Sequence, residues 1–194
     1  QFSQFFPSSK NMRNSNQGRQ QRHASPMLVM LLIQLFDRFK GLDYYPPLTV
    51  ACLSINLYAH LAPHVNILGY FLNDITGNCI QPNQIVYSLV NKHKILFNRI
   101  FLSSIIHADD MHLYYNMLSL SWKGIKLETS MGSAAFFVLL LFSLVVSHTI
   151  MILLSTFLHL AAFDNNVSSF NSCAVGFSAV LFSLKYVLNS QEGG

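Results

Sequence analysis

Long apolar runs broken by short polar stretches set the pattern of this chain. Residues 44–73, 129–163 and 165–184 contain no Asp, Glu, Lys or Arg. A helix crossing a bilayer needs roughly 20 apolar residues, so each window has room for one span. The pattern predicts a first span from Leu48 to about His64, with Val65–Leu72 as a prolongation that Pro63 would limit. A second runs from about His112 to Ile125, a third from Ala134 to about Phe157, and a fourth from near Ala174 to about Leu188. The apolar run Met27–Phe36 is only ten residues long and leads into Asp37-Arg38-Phe39-Lys40. It reads as an amphipathic or partly inserted helix over 27–40 rather than a signal peptide. Residues 73–106 read as a long connection without a periodic pattern. The fold class expected is all-α: a polytopic transmembrane helical bundle.

Composition sharpens this picture. Hydrophobic residues make up 52% of the 194 and charged ones 10%, against roughly 25% charged in soluble domains. A water-soluble surface needs more charge than that. Nucleic-acid binding, a disordered chain and an ordinary cytosolic enzyme are all disfavoured. The net charge of +4 reads as a topology signal. Lys10, Arg13, Arg19 and Arg22 lie in a polar arm over residues 1–26, followed by the membrane domain over 27–190. With Arg38, Lys40, Lys123 and Lys126 on the cytosolic side, the N-terminus is cytosolic, and residues 65–111 and 158–173 face the lumen or exterior. Lys92, Lys94 and Arg99 run against that assignment, but long loops weigh less in the rule. The sequon Asn166-Val167-Ser168 then falls in a lumenal loop. Of Cys52, Cys79 and Cys173, the last two can pair only if both face an oxidising compartment, packing being the plainer reading.

Two polar clusters stand out. His112 and Asn116 are four apart and share one helix face. Both can donate hydrogen bonds to a developing oxyanion in a water-poor site; the alternative is that they tie spans together. In Cys173-Ala174-Val175-Gly176-Phe177-Ser178-Ala179, Ser178 is a nucleophile if a base reaches it. Otherwise Gly176, Ser178 and Ala179 form a small-residue packing face. With the spans as drawn, Ser178 sits about one turn inside the fourth span, at a depth similar to His112, and that agreement favours a shared site.

His107, then His112-x-x-x-Asn116-Met117, Leu127-Glu128-x-x-x-Gly132-Ser133 and Gly176-Phe177-Ser178-Ala179, in this order, resemble the rhomboid intramembrane serine proteases from about residue 27 to 190. The likeness is closest to the endoplasmic-reticulum type. The resemblance implies Ser178 as nucleophile, with its own N–H, His112 and Asn116 forming the oxyanion hole. It implies Gly176 as the small residue that keeps the nucleophile loop close, and Glu128 and Gly132 as a motif fixing the following turn. Phe97-Asn98-Arg99 is similar to the family's Trp-Arg pair with Phe97 in place of Trp, and Ala179 stands where Gly is more usual. The family's general base is a His after a Gly on a sixth span, whereas four spans are read here. His148 and His159 are more readily buried or interfacial residues than substitutes for it, and His60, His64 and His93 have no motif around them. The resemblance implies hydrolysis of peptide bonds in transmembrane protein substrates, within the lipid bilayer and in the endoplasmic reticulum membrane. It calls for no cofactor, no metal and no nucleic acid. The competing reading is a truncated or pseudoprotease form that binds membrane-protein clients without cleaving them.

Overall fold

The structure is a computed structural model that describes residues 25–61, 75–90, 97–162 and 168–193. The basic arm, Val65–Leu72 with Pro63 and His64, Lys92-His93-Lys94, and Asn166-Val167 of the sequon lie outside the described residues. Within them the chain is helical: α1 Pro26–Phe39, α2 Pro47–Leu61, α3 Ile75–Asn78, α4 Pro82–Val90, α5 Phe97–Ile105, α6 Asp110–Met131, α7 Ser133–Ala162, α8 Ser168–Asn171 and α9 Ser178–Glu192. The extended pairing described is a single antiparallel bridge between Ile80 and Ala174.

The all-α expectation holds, with corrections of detail. The connection over 73–106 carries three helices; α4 opens on Pro82, where a missing N–H costs nothing. The helix expected over 112–125 is longer than drawn. Asp109, in extended conformation, caps α6 by accepting the backbone N–H of His112 at 2.7 Å, so the helix starts at Asp110. It then runs 22 residues, five past Lys126. Lys123 is buried and donates to Ser119 Oγ at 2.6 Å. Helix α7 extends to Ala162, so His159 lies within it. The fourth helix begins at Ser178 rather than near Ala174, because Gly176 (φ 108°) and the Ile80–Ala174 bridge hold the preceding residues out of helical geometry.

Among the described residues, one helix is long and apolar enough to cross a membrane, the 29-residue stretch Ser133–Ala161; Pro47–Leu61 is a shorter apolar helix. Much of the surface of α7 is exposed apolar side chain, including Phe137, Val138, Phe142, Leu153 and Phe157. Its buried face is mixed, with Ser143, His148 and Ser155 beside Phe136, Leu140 and Leu144, so polar groups lie inside while apolar ones are left outside.

Helix α6 is the hub and packs against α1, α2, α7 and α9. Leu113, Met117, Leu120 and Leu127 on it have no exposed surface. On α1, Leu31 and Leu35 face this core, and Tyr114 donates to Gln34 at 3.0 Å. Helix α2 comes very close: an added Cβ on Gly124 would stand 2.6 Å from Thr49 Oγ1. At one end His60 Nε2 meets Asp110 Oδ1 at 2.7 Å. At the other, the buried Glu128 carboxylate accepts four hydrogen bonds. They come from the Leu48 and Thr49 N–H groups (2.9 and 2.8 Å), Thr49 Oγ1 (2.8 Å) and Ser133 Oγ (2.7 Å). Those two amides belong to the first turn of α2, where N–H groups lack intrahelical partners and the helix dipole favours an anion. Glu128 thus caps a neighbouring helix. Gly132 (φ 83°) follows α6 and turns the chain so that Ser133 reaches back to the same carboxylate.

Replacing Glu128 by Ala leaves buried amides without an acceptor and is expected to destabilise the protein by about 3 kcal/mol, with Glu128→Gln costing less. Unfolding midpoints in mixed micelles check this; equal midpoints for Glu128→Ala and parent would remove Glu128 from this role.

Candidate functional site

Three segments meet at the Asp110 end of α6. The first is the N-terminal turn of α6 with His112, preceded by His107. The second is the loop 172–177 leading into α9. The third is made of residues 79–90 and 97–103, which form α4 and most of α5.

The loop is held at closely spaced points. Cys173 is disulfide-bonded to Cys79, Cα atoms 5.4 Å apart. This corrects the plainer reading of both cysteines as packing residues: the fold brings together positions 94 apart in sequence. Next to the disulfide, Ile80 and Ala174 exchange backbone hydrogen bonds at 3.0 and 2.9 Å. The Gly176 N–H donates to the Ser103 carbonyl at 2.7 Å. Arg99 donates to the Cys79 carbonyl (3.3 Å) and to Gln84 (2.6 Å), which braces α4 and α5 on the far side of the bridge. Ser103 and Ile80 have no signal in sequence, because both act through main-chain atoms.

Gly176 is where the loop touches α6. Its φ of 108° suits glycine, and the space a Cβ would fill is taken by the His112 ring, with Cε1 at 2.4 Å and Nε2 at 2.7 Å. The structure therefore brings His112 against the loop two residues before Ser178. Ser178 is the first residue of α9, half-buried, and Phe177 before it supplies no side-chain cap. Its N–H belongs to the first-turn amides that have no intrahelical acceptor, at the positive end of the helix dipole. Ser147 on α7 backs the start of α9, donating to the Ala179 carbonyl at 3.4 Å.

Asn116 lies one turn along α6 from His112. It is 5% exposed, and its Nδ2 has no hydrogen-bond partner among the described residues. A buried carboxamide donor without an acceptor is costly, and it is suited to a group that becomes negative there. His107, 4% exposed, sets its ring edgewise to His112, centroids 5.2 Å apart. Its Nδ1 lies 3.1 Å from the Ile105 carbonyl, so Nδ1 carries the proton and Nε2, buried and unpartnered, is a bare acceptor. The other histidines considered are engaged elsewhere. His148 Nδ1 bonds the Leu144 carbonyl at 2.7 Å within its own helix, and His159 stacks on Phe170. Among the described residues, no group of three or more His, Cys, Asp and Glu could hold a metal ion.

Two outcomes are expected. Gly176→Ala places a methyl group inside the His112 ring at an unfavourable φ and should lower stability by about 1–3 kcal/mol, measurable as a lower unfolding midpoint; an unchanged midpoint would show that the loop and ring separate freely. His107 gives a pH dependence. Burial, then electrostatic repulsion from His112, pushes its pKa from the usual 6.5 down to about 4, the Ile105 carbonyl opposing in part. The folded protein keeps the ring neutral where the unfolded chain takes up a proton. This contribution to stability is therefore complete above 6.5 and is lost as pH falls through the window down to about 4. Unfolding midpoints from pH 7.5 to 4 should fall in that window for the parent and less steeply for His107→Gln; identical slopes would discount His107.

A family description named "Rhomboid domain" matches residues 96–192. "Rhomboid-like protein 14, mitochondrial" of Arabidopsis thaliana is 39% identical over 180 residues, covering 93% of this chain and 51% of that protein. "Rhomboid-related protein 4" of Homo sapiens is 37% identical over 173 residues (89% and 49%), and that of Mus musculus 34% over 172 (88% and 49%). The chain spans about half the length of these relatives. No solved structure gives a significant match. With the matched segment running from the start of α5 through α9, and the resemblance reaching the curated relatives over most of its length, the chain belongs to the rhomboid family.

Proposed function

We propose that the protein acts as an intramembrane serine endopeptidase that hydrolyses peptide bonds in or near the transmembrane helices of other membrane proteins. The observation that carries this reading is the packing of the His112 ring into the space left by Gly176, beside a helix that starts on Ser178. The unpartnered donor of Asn116 one turn away supports it.

In this reading Ser178 Oγ attacks the scissile carbonyl. The negative charge that develops on the carbonyl oxygen is met by the Asn116 amide, by a ring N–H of His112 and by the uncapped N–H of Ser178. Donors fixed before the reaction cost no reorganisation as the charge appears, and they act more strongly in a water-poor site. Collapse of the tetrahedral intermediate expels the amine and leaves an acyl group on Ser178, which water then hydrolyses. The serine proton goes to the base that the family resemblance implies, a histidine following a glycine on a sixth span. Neutral His107 adds no charge beside His112.

A substrate helix must open locally to expose a carbonyl, since its backbone groups are paired internally in lipid. Helices that carry polar or helix-breaking residues near the cut meet this requirement at lowest cost. The proposal extends to topology: α2, α6, α7 and α9 cross the bilayer as four spans of the domain over 27–190. The N-terminus and Glu128 then lie on the cytosolic side and Ser178 on the lumenal side. The Cys79–Cys173 disulfide fits an oxidising lumen, and an endoplasmic reticulum membrane is the location we favour.

The test uses the full-length protein with a membrane-anchored reporter. Ser178→Ala should reduce cleavage by at least roughly 10³-fold, and Asn116→Ala by about 10²-fold. Equal cleavage by Ser178→Ala and parent would end the catalytic reading and leave the capture of client helices in its place.

A further inference from the structure

Between Asn171 and Gly176 the chain is joined to Cys79, Ile80, Asn83 and Ser103 at four levels. Asn83 Nδ2 donates to Asn171 Oδ1 at 2.7 Å, Cys173 is bonded to Cys79, Ala174 pairs with Ile80, and Gly176 donates to Ser103. Three of these are hydrogen-bonded contacts. A single bridge with no ladder continuing from it is marginal without a further tie, and such segments open locally at low free energy. The covalent bond is the strongest of the four ties, and the one that a change of redox state alone can break. Its two halves also differ in access: Cys79 has no exposed surface, whereas Cys173 is exposed.

We propose that the Cys79–Cys173 disulfide is a redox-modification site at which a dithiol reductant releases the Ser178 loop. A thiolate of the reductant attacks the accessible Cys173 Sγ, forming a mixed disulfide there and expelling the Cys79 thiolate, which takes up a proton. The second thiol of the reductant then attacks its own sulfur in the mixed disulfide and frees Cys173 as a thiol. Two electrons and two protons pass from the dithiol, which leaves as a disulfide. With the bond open, the bridge and the Gly176–Ser103 bond lose their covalent tie and open more often, so Gly176 is held less firmly against His112. The effect on cleavage rests on the reading of Ser178 as nucleophile; the clamp itself does not. The free Cys52, half-buried on α2, takes no part.

The experiment uses the full-length protein in phospholipid nanodiscs, with dithiothreitol as the probe. Peptides containing Cys79 and Cys173 should react with a maleimide only after reduction. Reduction should speed hydrogen exchange at the Ala174 and Gly176 amides by roughly ten-fold or more. It should also lower kcat for reporter cleavage roughly ten- to a hundred-fold, with less effect on KM, since a misplacement of about 1 Å costs that much. Cys79→Ser and Cys173→Ser should show the reduced behaviour without reductant and ignore its addition, while Cys52→Ser follows the parent. Both cysteines reacting before reduction, or exchange unchanged by it, would overturn the clamp. Faster exchange with unchanged cleavage would overturn its control of activity. A parent that cleaves no reporter would sink the protease reading, and the exchange measurement would still decide the clamp.

Discussion

The Glu128 carboxylate is the interaction on which the rest of the structure depends. A buried anion is expensive unless its lone pairs are used, and here four donors converge on it from the first turn of α2 and the first residue of α7. One side chain thus fixes the start of two helices against the end of a third. At the other end of the same helix pair, His60 and Asp110 close the contact. Between them, Gly124 lets Thr49 approach within side-chain contact of the α6 backbone. Helix α2 cannot slide along α6 without breaking one of the three.

That rigidity matters because α6 also carries His112 and Asn116. Their shared face is a consequence of helical period, but its position in space comes from the packing of α6 against its neighbours. Helix α9 is supported from two directions. Val180, Leu181, Leu184 and Leu188 enter the core, and Ser147 of α7 holds its first turn. The loop before α9 is built differently: Phe177 enters the core, but residues 173–176 are held by main-chain hydrogen bonds and the disulfide. A segment held by hydrogen bonds and a disulfide can be stiff in one state and loose in another. A segment held by core packing has no such option.

Much of this was legible in sequence, for reasons that can be traced. Charge-free windows mark where apolar helices are possible, so α2 and α7 emerge with errors of a few residues at their ends. The i, i+4 spacing puts His112 and Asn116 on one face whatever surrounds them. The ordered motifs from His107 to Ala179 carried the family likeness, because several short patterns in one order are far more specific than any one of them. The helices of 75–105 were missed because each is short, and apolar periodicity needs more than two turns to stand out. The start of α9 was misplaced because the residues before it are apolar enough to continue a helix, and only the pairing with Ile80 and the glycine conformation exclude one.

Composition and periodicity by themselves determined that the chain is helical, apolar over long windows, and polar at a few defined points on α6 and before α9. The tertiary structure alone decided which of those points meet. The cysteine pair, the main-chain bonds of Ile80 and Ser103, and the fit of His112 against Gly176 depend on segments far apart in sequence. Their formation is a matter of chain topology and close packing, and neither leaves a local pattern in the residues concerned.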